Sequence, residues 1–235
     1  IGVLEAATTK EVATITDGTS EREQTVEPFT NYLVTRVQKD FNNNNTFIGG
    51  IFTATNRSLT DSLDFLHTSA YTGGIDITHN WKNRAYYVKG NLIFSKVTGS
   101  ENAILRTQQS ITHLFQREGA EHVNVDSNAT SLTGTGGNLQ IGKGAGNLVF
   151  QTGLTWRSPE LELNDIGFQL RADDFRYYGW LGYRTTKPLK SMRSWRLNYN
   201  HFAAFDFGGN LNELILNGNA WFNLNNNTWF NGFVD

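Results

Sequence analysis

Five histidines and one run of carboxylates hold most of this chain's reactive chemistry. A serine–histidine–acid relay needs a hydroxyl, an imidazole and a carboxylate brought to one rim. Ser62, Asp64 and His67 share one connecting segment, and His113, Glu118, Glu121 and His122 share another. Neither set has a glycine-framed nucleophile or a spacing that fixes geometry. Both read as solvated loop residues, and no catalytic residue is expected. Glu160, Glu162, Asp165, Asp173 and Asp174 gather hard oxygen ligands on residues 158–174, as a Ca²⁺ site would. They lack the EF-hand order, so a solvated acidic loop without a metal is the expectation. The glycines of Gly134–Gly146 lack the GxxxxGK[ST] order of a phosphate cradle and read as strand-to-turn glycines. No cofactor is expected. Asn42–Asn45 and Asn225–Asn227 are turn residues tolerant of left-handed backbone, and Asn128-Ala129-Thr130 is a glycosylation pattern without further support.

The elements that would position these residues follow from composition and period. Charged residues make up 18% of the 235, below the usual share of about 25%. Glycine (23) and asparagine (26) are abundant, and aromatics reach 13%. The net charge of −2 supplies no basic field for nucleic acid. The absence of cysteine excludes disulfides and thiolate metal sites. No apolar run reaches the ~18 residues of a membrane helix.

Two-residue alternation recurs along nearly the whole length, and helical stripes are hard to find anywhere. In Ala70–Trp81, Tyr71, Gly73, Ile75, Ile77 and Trp81 share one face, and Thr72, Asp76, Thr78 and Asn80 the other. His79 falls in register with the apolar set and reads as an interfacial histidine beside Trp81. The pattern predicts eleven strands near 1–9, 28–39, 46–57, 69–81, 84–97, 131–143, 147–157, 172–186, 192–206, 211–224 and 228–234. Most exceed the usual five or six residues and suit a tilted bilayer crossing with extensions. Tight turns at 39–45, 82–84, 144–146, 186–191 and 225–227 alternate with longer links at 10–27, 58–68, 98–130 and 158–171. The one exception is the short link 207–210. Such a meander places all its long loops at one end, as transmembrane barrels do.

The faces differ in kind. One carries aliphatic and aromatic residues almost without charge. The other is polar, with Asp76, Lys89, Asn91, Arg157, Asp174, Arg176, Arg184, Arg196, Asn198, Asn200, Glu213, Asn217 and Asn219 as candidates to line a lumen. Tyr71, Trp81, Trp156, Tyr183, Trp195 and Trp229 lie near strand ends, where Trp and Tyr meet lipid headgroups. The expected fold is therefore all-β: an antiparallel, up-and-down transmembrane β-barrel, present as a partial barrel of about eleven strands. Both ends of the chain, Ile1-Gly2-Val3-Leu4 and Gly232-Phe233-Val234-Asp235, read as strand. Residues 1–235 are thus expected to be one barrel segment of a longer polypeptide, with further strands before residue 1, after residue 235 or both.

Three stretches carry a family resemblance: NYLVTRVQKDFNNNNTFIGGIFTATNR at Asn31–Arg57, TSLTGTGGNLQIGK at Thr130–Lys143, and DIGFQLRADDFRYYGWLGYR at Asp165–Arg184. They resemble a large Gram-negative outer-membrane family. In it, a C-terminal barrel domain of unknown function follows a module similar to family-nine carbohydrate-binding domains. The resemblance implies that this segment is barrel wall and that the partner module lies N-terminal to it. Members are sometimes labelled hydrolases, but nothing at the matching positions supports that activity here.

The expected function is an outer-membrane, porin-like barrel whose polar lumen passes or holds a solute such as a saccharide, or which anchors a glycan-binding module. Its expected partners are the lipid bilayer and lipopolysaccharide, carbohydrate, and other outer-membrane or periplasmic proteins, with no nucleic acid. Two alternatives stay open: a soluble secreted β-sandwich of the adhesin type, and a membrane-embedded barrel hydrolase working from its long loops.

Overall fold

The computed structural model describes residues 1–185 and 187–234. Strand β1 (Gly2–Thr8) leads into a separate hairpin, β2 (Glu11–Thr16) and β3 (Glu21–Glu27). Then come β4 (Phe29–Phe41), β5 (Thr46–Ser58), a 3-10 turn at Asp61–Leu63, β6 (His67–Trp81) and β7 (Tyr86–Gly99). Helix α1 (Glu101–Gln109) precedes β8 (Ser131–Lys143), β9 (Leu148–Arg157), β10 (Asp174–Thr185), β11 (Met192–Phe205), β12 (Leu211–Leu224) and β13 (Trp229–Val234). One antiparallel sheet contains eleven strands in the order β1-β4-β5-β6-β7-β8-β9-β10-β11-β12-β13. Each expected strand overlaps one of these eleven. Among the described residues β1 and β13 each have a single neighbour, so the sheet has two open edges and is not a closed barrel. The expected turn 186–191 begins at Thr186, which with Asp235 lies outside the described residues.

The tight turns follow from local chemistry. Asn42, Asn43 and Asn44 are all left-handed (φ 52, 53 and 61°), and Asn45 N–H closes the turn onto Asn42 O at 3.1 Å. Asparagine tolerates this region better than other side chains. Lys82, Asn83 and Arg84 repeat the geometry (φ 51, 55 and 62°), closed by Ala85 N–H to Lys82 O at 3.1 Å. The meander puts these turns at one end of the sheet and every long connection at the other.

Two elements escape the two-residue pattern. The link 10–27 holds the β2–β3 hairpin, turned by Gly18 (φ 91°) and by Asp17, whose carboxylate accepts the N–H groups of Thr19 and Ser20 at 2.9 and 2.8 Å. Helix α1 lies inside the expected long link 98–130, where no helical stripe is read. Ser100 caps it, its Oγ accepting Ala103 N–H at 3.1 Å, and Glu101 in the first turn suits the positive end of the helix dipole.

Register fixes the two faces. One row runs Ile48, Ile77, Gly90, Leu139, Leu154, Tyr177, Ala203, Leu214 across eight strands. The opposite row runs Asp76, Asn91, Asn138, Thr155, Arg176, Ala204, Glu213. The core lies on the polar side, at its long-loop end. There the polar row gives way to Ala70, Val97 and Leu132, and Ile104 of α1 packs on these three. Leu161 of the 158–173 connection is buried beside Gly134 and Gly136 of β8. No described element covers the apolar rows: Ile75 is 62% exposed and Leu139 50%.

Candidate functional site

Every lumen candidate lies on the polar face, which the connections cover at its long-loop end. The register places Asp76, Lys89, Asn91, Arg157, Asp174, Arg176, Arg184, Arg196, Asn198, Asn200, Glu213, Asn217 and Asn219 on that side of the sheet. Of the six aromatics, Tyr71, Trp81, Trp156, Tyr183 and Trp195 are on the apolar rows, with Tyr71 and Trp156 towards the long loops and the other three near the tight turns. Trp229 is a correction. It pairs with Asn223 and shares the polar face with Trp221, because a strand position one residue off changes sides.

On the polar face, side chains bond within strands, between neighbours and across a whole strand. Asn198 Nδ2 donates to Asn219 Oδ1 at 2.6 Å and Asn200 Nδ2 to Asn217 Oδ1 at 3.1 Å, forming amide rungs between β11 and β12. Trp180 Nε1–H and Arg196 Nε–H both donate to Asn198 Oδ1, at 3.0 and 2.9 Å, and the guanidinium lies 5.0 Å from the Trp180 ring centre. Asp174 is fully buried between Arg157 and Arg176, whose nitrogens lie 3.0 and 2.7 Å from its Oδ2. Amide, indole and guanidinium groups in this density suit a neutral polar solute.

Ser62, Asp64, Glu118 and Glu121 are exposed, as expected of solvated loop residues, whereas His67, His113, His122, Glu162, Asp165, Asp173 and Asp174 are paired and largely withdrawn from solvent and correct that expectation. Ser62, Asp64 and His67 do not come together: the Ser62 hydroxyl bonds Thr25 O and Thr60, and Asp64 Oδ1 accepts Asn102 Nδ2. His67 instead faces Asp165 Oδ2 through Nδ1 at 2.8 Å and Thr107 Oγ1 through Nε2 at 2.7 Å. Arg57 Nη1 holds the other oxygen of Asp165 at 2.5 Å. Burial pushes the Asp165 carboxyl up, but His67 and Arg57 outweigh it and hold the group below its usual value.

His113, 2% exposed, donates from Nδ1 to Pro159 O at 2.7 Å, and its Nε2 lies 2.9 Å from Glu162 Oε2. Burial acts first on Glu162 and upward, yet His113 and the Asn164 N–H bring its carboxyl below the ordinary value. Asp173, in a left-handed conformation (φ 50°), is bound by Arg117 and by His122 Nε2 at 2.8 Å. Asp206 sits beside Arg117 at 3.3 Å, and Asn210 donates twice to it, so it too is held low despite its burial.

His67, His113 and His122 thus stitch the 100–130 connection and β6 to the 158–173 connection. The carboxylate–imidazole–hydroxyl order of Asp165, His67 and Thr107 has the form of an acid–base relay. Thr107 is 8% exposed, however, and its hydroxyl also lies 3.0 Å from Ala103 O within the helix, which makes the set a lock between elements. Of the 158–174 carboxylates, Glu162, Asp165, Asp173 and Asp174 are matched by arginine and histidine rather than left to solvent. Glu160 has no part in these pairs. Glu118 lines a cavity of about 350 Å³ with Arg117, Asp173 and Asp206, and Glu121 is exposed. A second cavity, of about 430 Å³, is bounded by Arg57, His67, Arg106 and Asp165.

Among the described residues no helix is long and apolar enough to cross a membrane, a criterion that does not bear on strands. No curated protein and no solved structure matches this chain. One family model does, over residues 1–235, which makes the chain a member of the family described as "Domain of unknown function (DUF5916)".

Proposed function

We propose that this chain is wall of a transmembrane β-barrel of the Gram-negative outer membrane. Its polar interior holds or admits a polar solute, with saccharides the class best matched, and its long-loop mouth is filled by the chain's own connections. Anchoring of a glycan-binding module is compatible with the same wall. One observation carries the reading: the apolar rows are uncovered while the polar rows are bonded and partly roofed. A soluble sandwich inverts this, burying its apolar rows against a second sheet about 10 Å away.

Two further features support it. Tyr71 and Trp81 stand ten residues apart on one apolar row of β6. That is about 33 Å along a strand and about 25 Å once the strand tilts by ~40°, the height of the apolar band on outer-membrane barrels. The free edges of β1 and β13 would leave unpaired N–H and C=O groups in hydrocarbon at several kcal/mol each, so this reading requires further strands to pair with them. The test is expression and fractionation of the full chain. Recovery in the membrane fraction, with detergent needed for a monodisperse state, is the expected result. A monodisperse protein in plain buffer overturns the proposal.

A further inference from the structure

We infer that the tight-turn rim is a docking surface for the phosphodiester headgroups of an anionic phospholipid leaflet. This rests on the membrane reading above. Charge is distributed very unevenly between the two ends. The five tight turns, each taken with three strand residues on either side, hold eight Lys and Arg and a single carboxylate, Asp40. The five connections at the opposite end, the short 206–210 link included and counted the same way, hold eighteen carboxylates and eight Lys and Arg.

The cations of the two ends also differ in what they touch. At the long-loop end Arg57, Arg117, Arg157 and Arg176 are spent on buried or half-buried carboxylates. At the tight-turn end, among the described residues, no ion pair forms. Arg84 donates to Asn45 Oδ1 and Asn44 O, both at 3.2 Å, and Arg184 to Gly144 O at 2.9 Å. These neutral acceptors tie neighbouring turns together without cancelling charge.

Lys39 and Lys143 stand on the apolar rows, paired with Ile48 and Phe150. The ammonium of Lys39 is 5.3 Å from the Phe41 ring centre, and those of Lys82 and Lys143 are 5.4 and 5.6 Å from Tyr86. Tyr86 stacks on Trp81, and Trp81 on His79. A lysine stem lying on an apolar wall, with its ammonium at the edge of an aromatic belt, is placed where headgroup phosphates lie. Lys187 and Lys190 extend the same rim. A cluster of four to eight such cations near a bilayer selects anionic lipid.

The experiment follows the full chain, added from denaturant to vesicles of phosphatidylcholine alone or with about a quarter phosphatidylglycerol, at low and high salt. Insertion into both is expected, with a rate or affinity about tenfold higher on the anionic vesicles at low salt and the preference largely screened at high salt. The joint Lys→Gln variant at 39, 82, 143, 187 and 190 should still insert into phosphatidylcholine but lose the preference. Lys10→Gln with Arg22→Gln, on the β2–β3 hairpin, should keep it. Equal insertion of the unaltered chain into both vesicles overturns the inference without touching the membrane reading, and needs no variant to fold. So does a preference that the five-lysine variant retains, or one abolished by inorganic phosphate at constant ionic strength, which would assign the rim to a free anion. Insertion into neither vesicle removes the membrane reading and this inference with it.

Discussion

Arg36 and Asp76 lie on strands two apart, β4 and β6, yet the guanidinium grips the carboxylate in a fork, Nη1 on Oδ2 and Nη2 on Oδ1 at 3.0 Å. The intervening strand lets them meet because Gly49 stands there: a Cβ would lie 2.6 Å from Arg36 Nη2 and 2.7 Å from Asp76 Oδ2. The device recurs on the same face. Tyr87 reaches Gln151 at 3.1 Å over Gly142, and Asn138 reaches Tyr178 at 3.0 Å over Gly153. Glycine on the polar rows is thus where the sheet braces itself sideways.

Gly134→Ala should unseat the 158–173 connection. The new methyl would overlap the backbone of Leu161, which cannot swing away as a flexible side chain can. The expected cost is about 1–3 kcal/mol, typical of overpacking, read as faster proteolysis within 158–173 while the sheet stays intact. Gly144→Ala, with nothing within 4 Å of its Cβ, should change nothing. Equal protection in the two variants would refute the seating of the loop.

Acid should open the loop seam, and only acid. A carboxylate whose folded pKa lies below its unfolded value stabilises the fold above the unfolded value, and that contribution is lost as pH falls through the folded one. Asp165 and Glu162 are both held below their ordinary values of 3.8 and 4.5. Hydrogen-exchange protection of residues 100–130 should therefore persist from neutrality to about pH 5 and fall progressively below it. Asp165→Asn should weaken protection at pH 7 and flatten its acid dependence. Loss of protection near pH 6–7 would place control on the histidines instead.

Asn83 tests the turns. It is left-handed at φ 55°, so Asn83→Val should cost about 1–2 kcal/mol while Asn83→Gly stays within about 0.5 kcal/mol. Urea-dependent folding into vesicles measures both. Equal effects would mean that the turn does not hold the conformation described.

Charge placed on the two faces should have unequal effects. Ile75→Arg and Leu139→Arg, mid-strand on the apolar rows, should each cost about 2–4 kcal/mol if those rows meet hydrocarbon. Asn91→Arg and Gln151→Arg, on the polar rows, should stay within about 1 kcal/mol. In water the ranking would vanish, since Ile75 and Leu139 are already exposed.

The eleven-strand meander was legible because its strands are long and keep strict two-residue alternation. Asp76 and Ile77, or Asn91 and Leu92, already name their faces. Helix α1 was not, since nine residues make little more than two turns and its inward side is Ala103, Ile104, Thr107 and Gln108, half of it polar. The β2–β3 hairpin was hidden because it is exposed along nearly its whole length, touching the turn at Asp61–Leu63 through Thr25, and so has no continuous apolar face to betray it. His67, His113 and Glu162 looked solvated because their partners are far away in sequence; His67 and Asp165 stand 98 residues apart. The signal available was imbalance, with acids crowded on 158–174 and histidines and arginines on the other long connections. Trp229 was placed on the wrong side because a six-residue strand offers too little alternation to fix its register.

The central claim is that the apolar rows touch acyl chains while the polar rows touch water. The chain contains no cysteine, so single-cysteine variants can be spin-labelled cleanly. Labels at Ile75, Leu139 and Leu154 and at Asn91 and Gln140 should be compared in vesicles for collision with oxygen and with a water-soluble nickel chelate. Labels on the first three positions should collide with oxygen and be hidden from nickel, and those at Asn91 and Gln140 should show the reverse. Nickel access at both sets, or apolar-row labels shielded from both reagents, would contradict the account.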